Sequence, residues 1–549
     1  MIRSRSLVLL LALSPLGSAS QTPSQAVPVD LFVDVADAVA AIPADNDKAS
    51  RERLGALRLD VLEQSAARQG GFARLALPVF DGEVLITRID HVERAANNGW
   101  VWAGTIEGSV EGSVLLSVVG DAVSGSIRTE EQLYSVRYAG AGLHAIAEID
   151  ESRFAPCANG SSEAADGVHT HEARASSATS AGGSTFSAAV ANNPPTIDVV
   201  VVYTPQARTA QGGTNAINAL INLAVSETND AYTKSQVNQE LRLMATQEMV
   251  GYTESGSFST ELNRLTSKTD AYLNEAHTLR STWGADAVAM IVAGSQYCGI
   301  AHLMTTPSNS FKSQAFSVTA RTCATGYYSF GHELGHNFGS THDRPNAGSG
   351  AFQYSFGYRT PNNQYRTIMA YSPGTRIRRF SNPNITYNGF VMGIAAPAAN
   401  SAENWKSLNG TAPFTSQWKC AVTVPFGTGK PTSSGLVPQL GSSGSRRISL
   451  DVLKLELTDA EPNKSAIAFY GFVQANQAWN GGSLYVSGVK KRLGVQVTDG
   501  TGAATWDFPL ATGFAAGDQV FAQVWFRDPT HPDGSTVGLS NGLRIDVCE

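Results

Sequence analysis

Three histidines and a glutamate crowd into the stretch HELGHNFGSTHD at 332–343, and a methionine follows in TIMAYS at 367–372. In the helical reading of this stretch, Phe330, Leu334 and Phe338 form an apolar stripe, while His332 and His336 share another face one turn apart. Two such imidazoles can grip one ion. Zinc takes nitrogen or sulfur ligands in a tetrahedron, and a catalytic site leaves one position open. Gly339 tolerates a left-handed conformation, so the helix can stop there and the chain can bring His342 back as a third ligand. Glu333 then sits where a carboxylate can take a proton from water whose pKa the cation has lowered to roughly 7. That chemistry suits peptide-bond hydrolysis, whereas a structural site would close its fourth position with another Cys or His.

These residues carry a resemblance. HELGHNFGSTHD followed by the methionine of TIMAYS resembles the metzincin zinc endopeptidases, and Asp343 directly after the third histidine resembles their reprolysin (adamalysin) branch. The match covers roughly residues 194–418. It implies His332, His336 and His342 as zinc ligands, Glu333 as general base and then acid, and Met369 as the turn residue packed beneath the metal. One departure stands out: Met369-Ala370-Tyr371 has the order of astacins and serralysins, where reprolysins usually have proline. Tyr371 either stabilises the oxyanion of the tetrahedral intermediate or packs under the site.

The catalytic residues need a scaffold, expected at 194–420. IDVVVVYT, ELRLMATQEMV and ADAVAMIVA read as strands, and 214–232 and 259–282 as helices, so an α/β (α+β) domain with a mixed sheet and an active-site helix is expected. By the resemblance, CGIAHLM at 298–304 is the edge strand along which a peptide lies, with Gly299, Ile300, Ala301 and His302 in contact with it. His302 is not counted as a ligand. Cys298 and Cys323 would tie that strand's start to the beginning of the active-site helix, a bridge contributing roughly 3 kcal/mol. After Tyr371, the run SPGTRIRRFSNPNI carries Arg376, Arg378 and Arg379 where such proteases build the pocket for the residue after the scissile bond. The cluster either makes that pocket basic, favouring Asp or Glu, or is solvated or paired with the chain's own carboxylates.

The rest of the chain reads as delivery and control. Its 549 residues exceed what one hydrophobic core normally serves, and 42% hydrophobic residues suffice for several. A net charge of −7 argues against nucleic acid or an anionic membrane as partner. Residues 1–19, with Arg3 and Arg5 before the apolar run 7–13, read as a secretory signal cleaved after Ala19, too short for an anchor. A β-rich segment at 20–155, opening with a helix over 47–69, resembles a reprolysin propeptide through GSIRTEEQLYSVRY and LHAIAEID. Residues 156–193, rich in Ser, Ala, Gly and Asn, read as a flexible linker holding the maturation site. If Cys298 pairs with Cys323 and Cys420 with Cys548, Cys157 is left over. It is either a latency switch on the open zinc position or a cysteine free or paired otherwise, and its flanks, FAPCANG, depart from the family's switch motif. A second linker spans 421–446, and strands at 447–549 read as an all-β sandwich like those common on secreted bacterial proteins. Its tryptophans, Trp479, Trp506 and Trp525, either fill its core or face a ligand.

The sequence thus predicts a secreted, monomeric zinc endopeptidase acting on proteins or peptides, without transmembrane anchor or nucleic-acid partner. Its accessory domain is expected to bind a surface, a glycan or a protein; calcium sites are not legible. The alternative is a secreted adhesin or carbohydrate-binding protein on a metzincin scaffold, against which the intact Glu333 argues. An exopeptidase is a third reading.

Overall fold

The computed structural model describes residues 28–35, 47–67, 74–158, 194–419 and 423–547, the last without 444–445, 447, 449–450, 452 and 516. The expected signal segment, most of the linker 156–193, and Cys420 and Cys548 lie outside the described residues. The fold is mixed α/β with several sheets and a β-rich C-terminal region.

The segment that leads to the histidine stretch forms a five-stranded sheet in the order Glu240–Glu248, Thr196–Tyr203, Ala287–Val292, Phe316–Ala320 and Gly299–Ala301. The first four strands run parallel, and their central members are near-continuous apolar runs buried on both faces. Gly299–Ala301 pairs antiparallel to Phe316–Ala320 and forms the edge. The helix Thr214–Lys234 crosses between the first two strands in sequence. Its Ile217, Leu220, Ile221 and Ala224 enter the sheet's core beside Phe330, Leu334 and Phe338. Leu223, on another face, packs against Val101 and Leu115 of the N-terminal sheet. Full burial of one such leucine contributes about 1.5–3 kcal/mol, so this helix joins two cores.

The N-terminal sheet has ten strands, with Val29–Asp30 at one end of its ladder and Phe32–Val33 at the other. Only Leu31 separates these two short strands in sequence, so the ladder closes through this stretch around Leu31, Trp102, Leu116 and Ile146. The C-terminal region holds a six-stranded sheet and a three-stranded sheet that share one core, including Leu455, Trp506 and Val524. Trp506 is thus a core residue, whereas Trp479 stands exposed.

Three local expectations change. The helix over 47–69 is a strand, Ala49–Leu57, followed by the helix Leu59–Ala67, because the first half pairs along Leu143–Ile149. The helix over 259–282 is two, Phe258–Thr266 and Asn274–Trp283. Between them the Ser267 and Asp270 side chains accept bonds from the Thr269 and Tyr272 amides, competing with helical pairing. The start of the expected linker is docked: Cys157 is buried, the Pro156 carbonyl accepts from Cys298 N at 3.1 Å, and Ala158 N donates to the Gly299 carbonyl at 2.8 Å.

Candidate metal centre

The helix Ser329–Asn337 is buried along its whole length. Phe330 and Leu334 face the core. Glycines let other groups come close: a Cβ on Gly331 would lie 2.9 Å from Thr228 Oγ1, and one on Gly335 would lie 2.8 Å from Met369 Sδ. Met369, fully buried, therefore packs directly under this helix. The helix ends at Phe338, and Gly339 follows with φ at 91°, on the side open to glycine. The chain turns there into the short strand Thr341–Asp343, which carries His342.

His332, His336 and His342 converge. Their Nε2 atoms lie 3.1, 3.2 and 2.9 Å apart. The Nδ1 of His332 donates to the Ile368 carbonyl at 2.8 Å, and that of His336 to the Ser340 carbonyl at 3.0 Å, when Nε2 is left as the lone-pair atom. Burial pushes all three imidazoles below their usual range, His336 to about 4, so they are neutral near pH 7. Three buried lone pairs aimed at one point repel unless a cation lies between them. Metal–nitrogen bonds of about 2.0–2.1 Å in a tetrahedron set ligand atoms roughly 3.3 Å apart, close to the spacing found. The donor set therefore fits a metal ion.

Glu333 lies beside the triad, fully buried, and neither carboxylate oxygen has a partner at hydrogen-bonding geometry among the described residues. Burial pushes its pKa up to about 8, against the pull of the Cys157 thiol and the Arg376 charge. It stands over the edge strand: a Cβ on Gly299 would lie 2.4 Å from Glu333 Oε1, so that position requires glycine.

The Tyr371 ring lies 4.2 Å from that of His342, centroid to centroid, and its hydroxyl donates to the Cys157 carbonyl at 2.5 Å. Asp343 fastens this turn, accepting from Tyr371 N at 3.0 Å and Asn346 Nδ2 at 2.9 Å and pairing with Arg359. In the sequence it was only a marker of the branch. Ligand atoms of Cys157, His332 and Glu333 lie within 4.8 Å of one another, a cluster that shares only His332 with the triad. The Cys157 sulfur also lies 3.8 Å from Ser329 Oγ.

Of the edge residues, Gly299, Ile300 and Ala301 are buried in the strand. His302 turns its Nε2 to Thr266 Oγ1 at 2.9 Å, while its carbonyl accepts from Asn337 Nδ2 at 2.9 Å. It stays apart from the triad cluster. Cys298 and Cys323 form a disulfide joining this edge to the approach of the histidine helix. The arginine run divides. Arg378 pairs with Asp230 at 2.6 Å and Arg379 with Glu111 at 2.9 Å, whereas Arg376 is buried beside Tyr327, its guanidinium 4.2 Å from the ring centre. Tyr327 and Arg366, which line the same wall, carried no signal in the sequence because nothing periodic or local marks them.

A family model described as metallo-peptidase family M12B, reprolysin-like, matches residues 193–398. The chain is 35% identical over 360 residues to a peptidyl-Asp metalloendopeptidase of Stenotrophomonas maltophilia (strain K279a), covering 60% of this chain and 81% of that protein. It is also 35% identical over 341 residues to a protein of the same name from Xanthomonas campestris pv. campestris, covering 58% and 77% respectively. Among solved structures, metalloproteinase-II from Bacteroides fragilis aligns at a TM-score of 0.34 and 11% identity, over 52% of this chain and 85% of that one, a likeness too slight to carry weight.

Proposed function

Because the chain belongs to the reprolysin-like metzincin metallopeptidases and is a metalloendopeptidase, we propose that it is a secreted zinc enzyme, made with an inhibitory N-terminal propeptide, that cleaves before aspartyl residues. The observation that carries the zinc reading is the convergence of three neutral Nε2 atoms with the buried Glu333 carboxyl beside them. The aspartyl preference comes from the name that the relatives bear, together with the arginines after the Met369 turn.

When bound, zinc supplies Lewis acidity toward the scissile carbonyl and the attacking water. Glu333 takes the water's proton and returns it to the leaving amine. Tyr371 donates to the oxygen on which charge develops, a role supported by its present bond to a backbone carbonyl in the cleft. The edge strand holds the peptide by its main chain, as it now holds residues 156–158 through Cys298 N and the Gly299 carbonyl. That occupancy supports latency: the N-terminal sheet, with Cys157 as its latch, keeps the cleft filled until a cut within 159–193 frees it. The C-terminal sheets form a sandwich attached as an accessory domain. Among the described residues no helix is long and apolar enough to cross a membrane. The non-catalytic alternative is not favoured, since the relatives are named as peptidases.

The test is hydrolysis of an unfolded protein by the processed chain, with and without chelator, beside Glu333→Ala. Loss on chelation, return with zinc and about 10³-fold or greater loss in the variant are expected. A processed, zinc-loaded sample inactive on every protein tried would overturn the reading.

A further inference from the structure

The three arginines after the Met369 turn are equivalent in sequence and different in space. Arg378 pairs with Asp230 at 2.6 Å and donates to Ser113 Oγ at 2.8 Å. Arg379 pairs with Glu111. Arg366, on the neighbouring strand Tyr365–Arg366, gives its donors to the Gly374 and Ala370 carbonyls and the Tyr327 hydroxyl. Arg376 is only 1% exposed, yet among the described residues it has no carboxylate within ion-pair distance. Its Nη1 donates to the Tyr327 carbonyl at 3.1 Å, and its Nε is buried without an acceptor.

A buried guanidinium with donors to spare is costly unless an anion completes it. Its contacts identify where that anion would arrive. Arg376 donates to the Tyr327 carbonyl and faces the Tyr327 ring, two residues before Ser329, whose Oγ lies 3.8 Å from the Cys157 sulfur in the cluster with Glu333 and His332. It therefore borders the cleft that the Cys157 segment fills. What stands there now is the Cys157 side chain, delivered by a segment bound along the edge strand and packed against Ser329 and Glu333. On the same wall, Phe154 stacks on Tyr327 at 4.0 Å, on the ring that Arg376 also faces. The N-terminal segment thus covers a cation it does not neutralise.

We propose that Arg376 is the specificity-determining residue of the cleft, its vacant donors taking the side-chain carboxylate of the residue after the scissile bond in a charge-assisted, forked pair. This rests on the aspartyl-peptidase reading above and assigns it to one of the three arginines. Arg378 and Arg379 hold the wall and the N-terminal sheet instead.

The experiment compares kcat/KM of the processed, zinc-loaded enzyme on two peptides differing only in Asp or Asn after the scissile bond. In Arg376→Gln, the Asp peptide should lose about 100-fold or more while the Asn peptide changes by less than about threefold, with Arg376→Lys between. An Asp-to-Asn ratio unchanged in a variant that still cleaves the Asn peptide would overturn the assignment and leave the peptidase reading intact. A wild-type ratio near one would overturn both the assignment and the aspartyl reading. If the variants do not fold, phenylglyoxal labelling of the processed wild type, read at Arg376 by mass spectrometry, replaces them. A product peptide beginning with Asp should slow that labelling and its Asn counterpart should not; equal labelling overturns the proposal.

Discussion

The hydroxyl of Tyr371 donates to the Cys157 carbonyl, and burial pushes its pKa up, which favours the protonated, donating form. A donor held beside His342 by its own ring, with its backbone amide fixed by Asp343, needs no rearrangement to meet a developing oxyanion. Stabilisation of that kind appears in the transition state and little in the bound substrate. Tyr371→Phe is therefore expected to lower kcat of the processed enzyme by about 10- to 100-fold with KM within about threefold. Steady-state kinetics on one aspartyl peptide checks this, and an unchanged kcat would leave Tyr371 a packing residue.

At the scale of elements, the site depends on how the histidine helix ends. Gly339 has φ at 91°, and a Cβ there would lie 2.7 Å from Ala351 Cβ, so backbone strain and a clash coincide at the turn that returns His342. Gly339→Ala should cost about 1–3 kcal/mol of stability. It should also weaken metal retention, because His342 moves while His332 and His336 stay on their helix. Titration with a competing chelator measures the second effect; wild-type retention in the variant would mean that the strand Thr341–Asp343 positions His342 without the turn.

For the whole molecule, the N-terminal sheet and the catalytic half are joined by the helix Thr214–Lys234, by Arg379 with Glu111, by Arg378 with Ser113 and by residues 154–158 in the cleft. Within the sheet, one buried histidine predicts a loss of stability in acid. His144 is buried in the strand Leu143–Ile149 and accepts from Val123 N, and burial lowers its pKa to about 4 from an ordinary 6.5. Below pH 6.5 the unfolded chain takes a proton that the folded sheet refuses. Stability is thus lost as pH falls from 6.5 toward 4, by up to about 3 kcal/mol. Denaturant unfolding of the uncut chain, followed by fluorescence of the buried Trp102, should shift to lower midpoint between pH 7 and pH 4.5. His144→Gln should flatten that part of the dependence, and an equal slope in the variant would assign the acid sensitivity elsewhere.

Features that neighbouring residues dictate are legible along the chain. The four-residue spacing puts His332 and His336 on one helical face, the apolar stripe buries the opposite one, and Gly339 supplies the turn, because helical periodicity and backbone freedom belong to neighbouring residues. Cys298 and Cys323 pair as their common domain suggested. The strand Ala49–Leu57 has the local pattern of a helix because its partner lies about ninety residues away, and local propensity carries no trace of such pairing. Tertiary structure alone decided which arginine remains without a carboxylate, since Asp230 and Glu111 come to Arg378 and Arg379 from distant segments and none comes to Arg376 among the described residues. It alone also laid Cys157 between Glu333 and Ser329, through main-chain bonds to an edge strand 141 residues further along the chain at Cys298. Charges and donors acquire partners through space, and spacing along the chain does not record them.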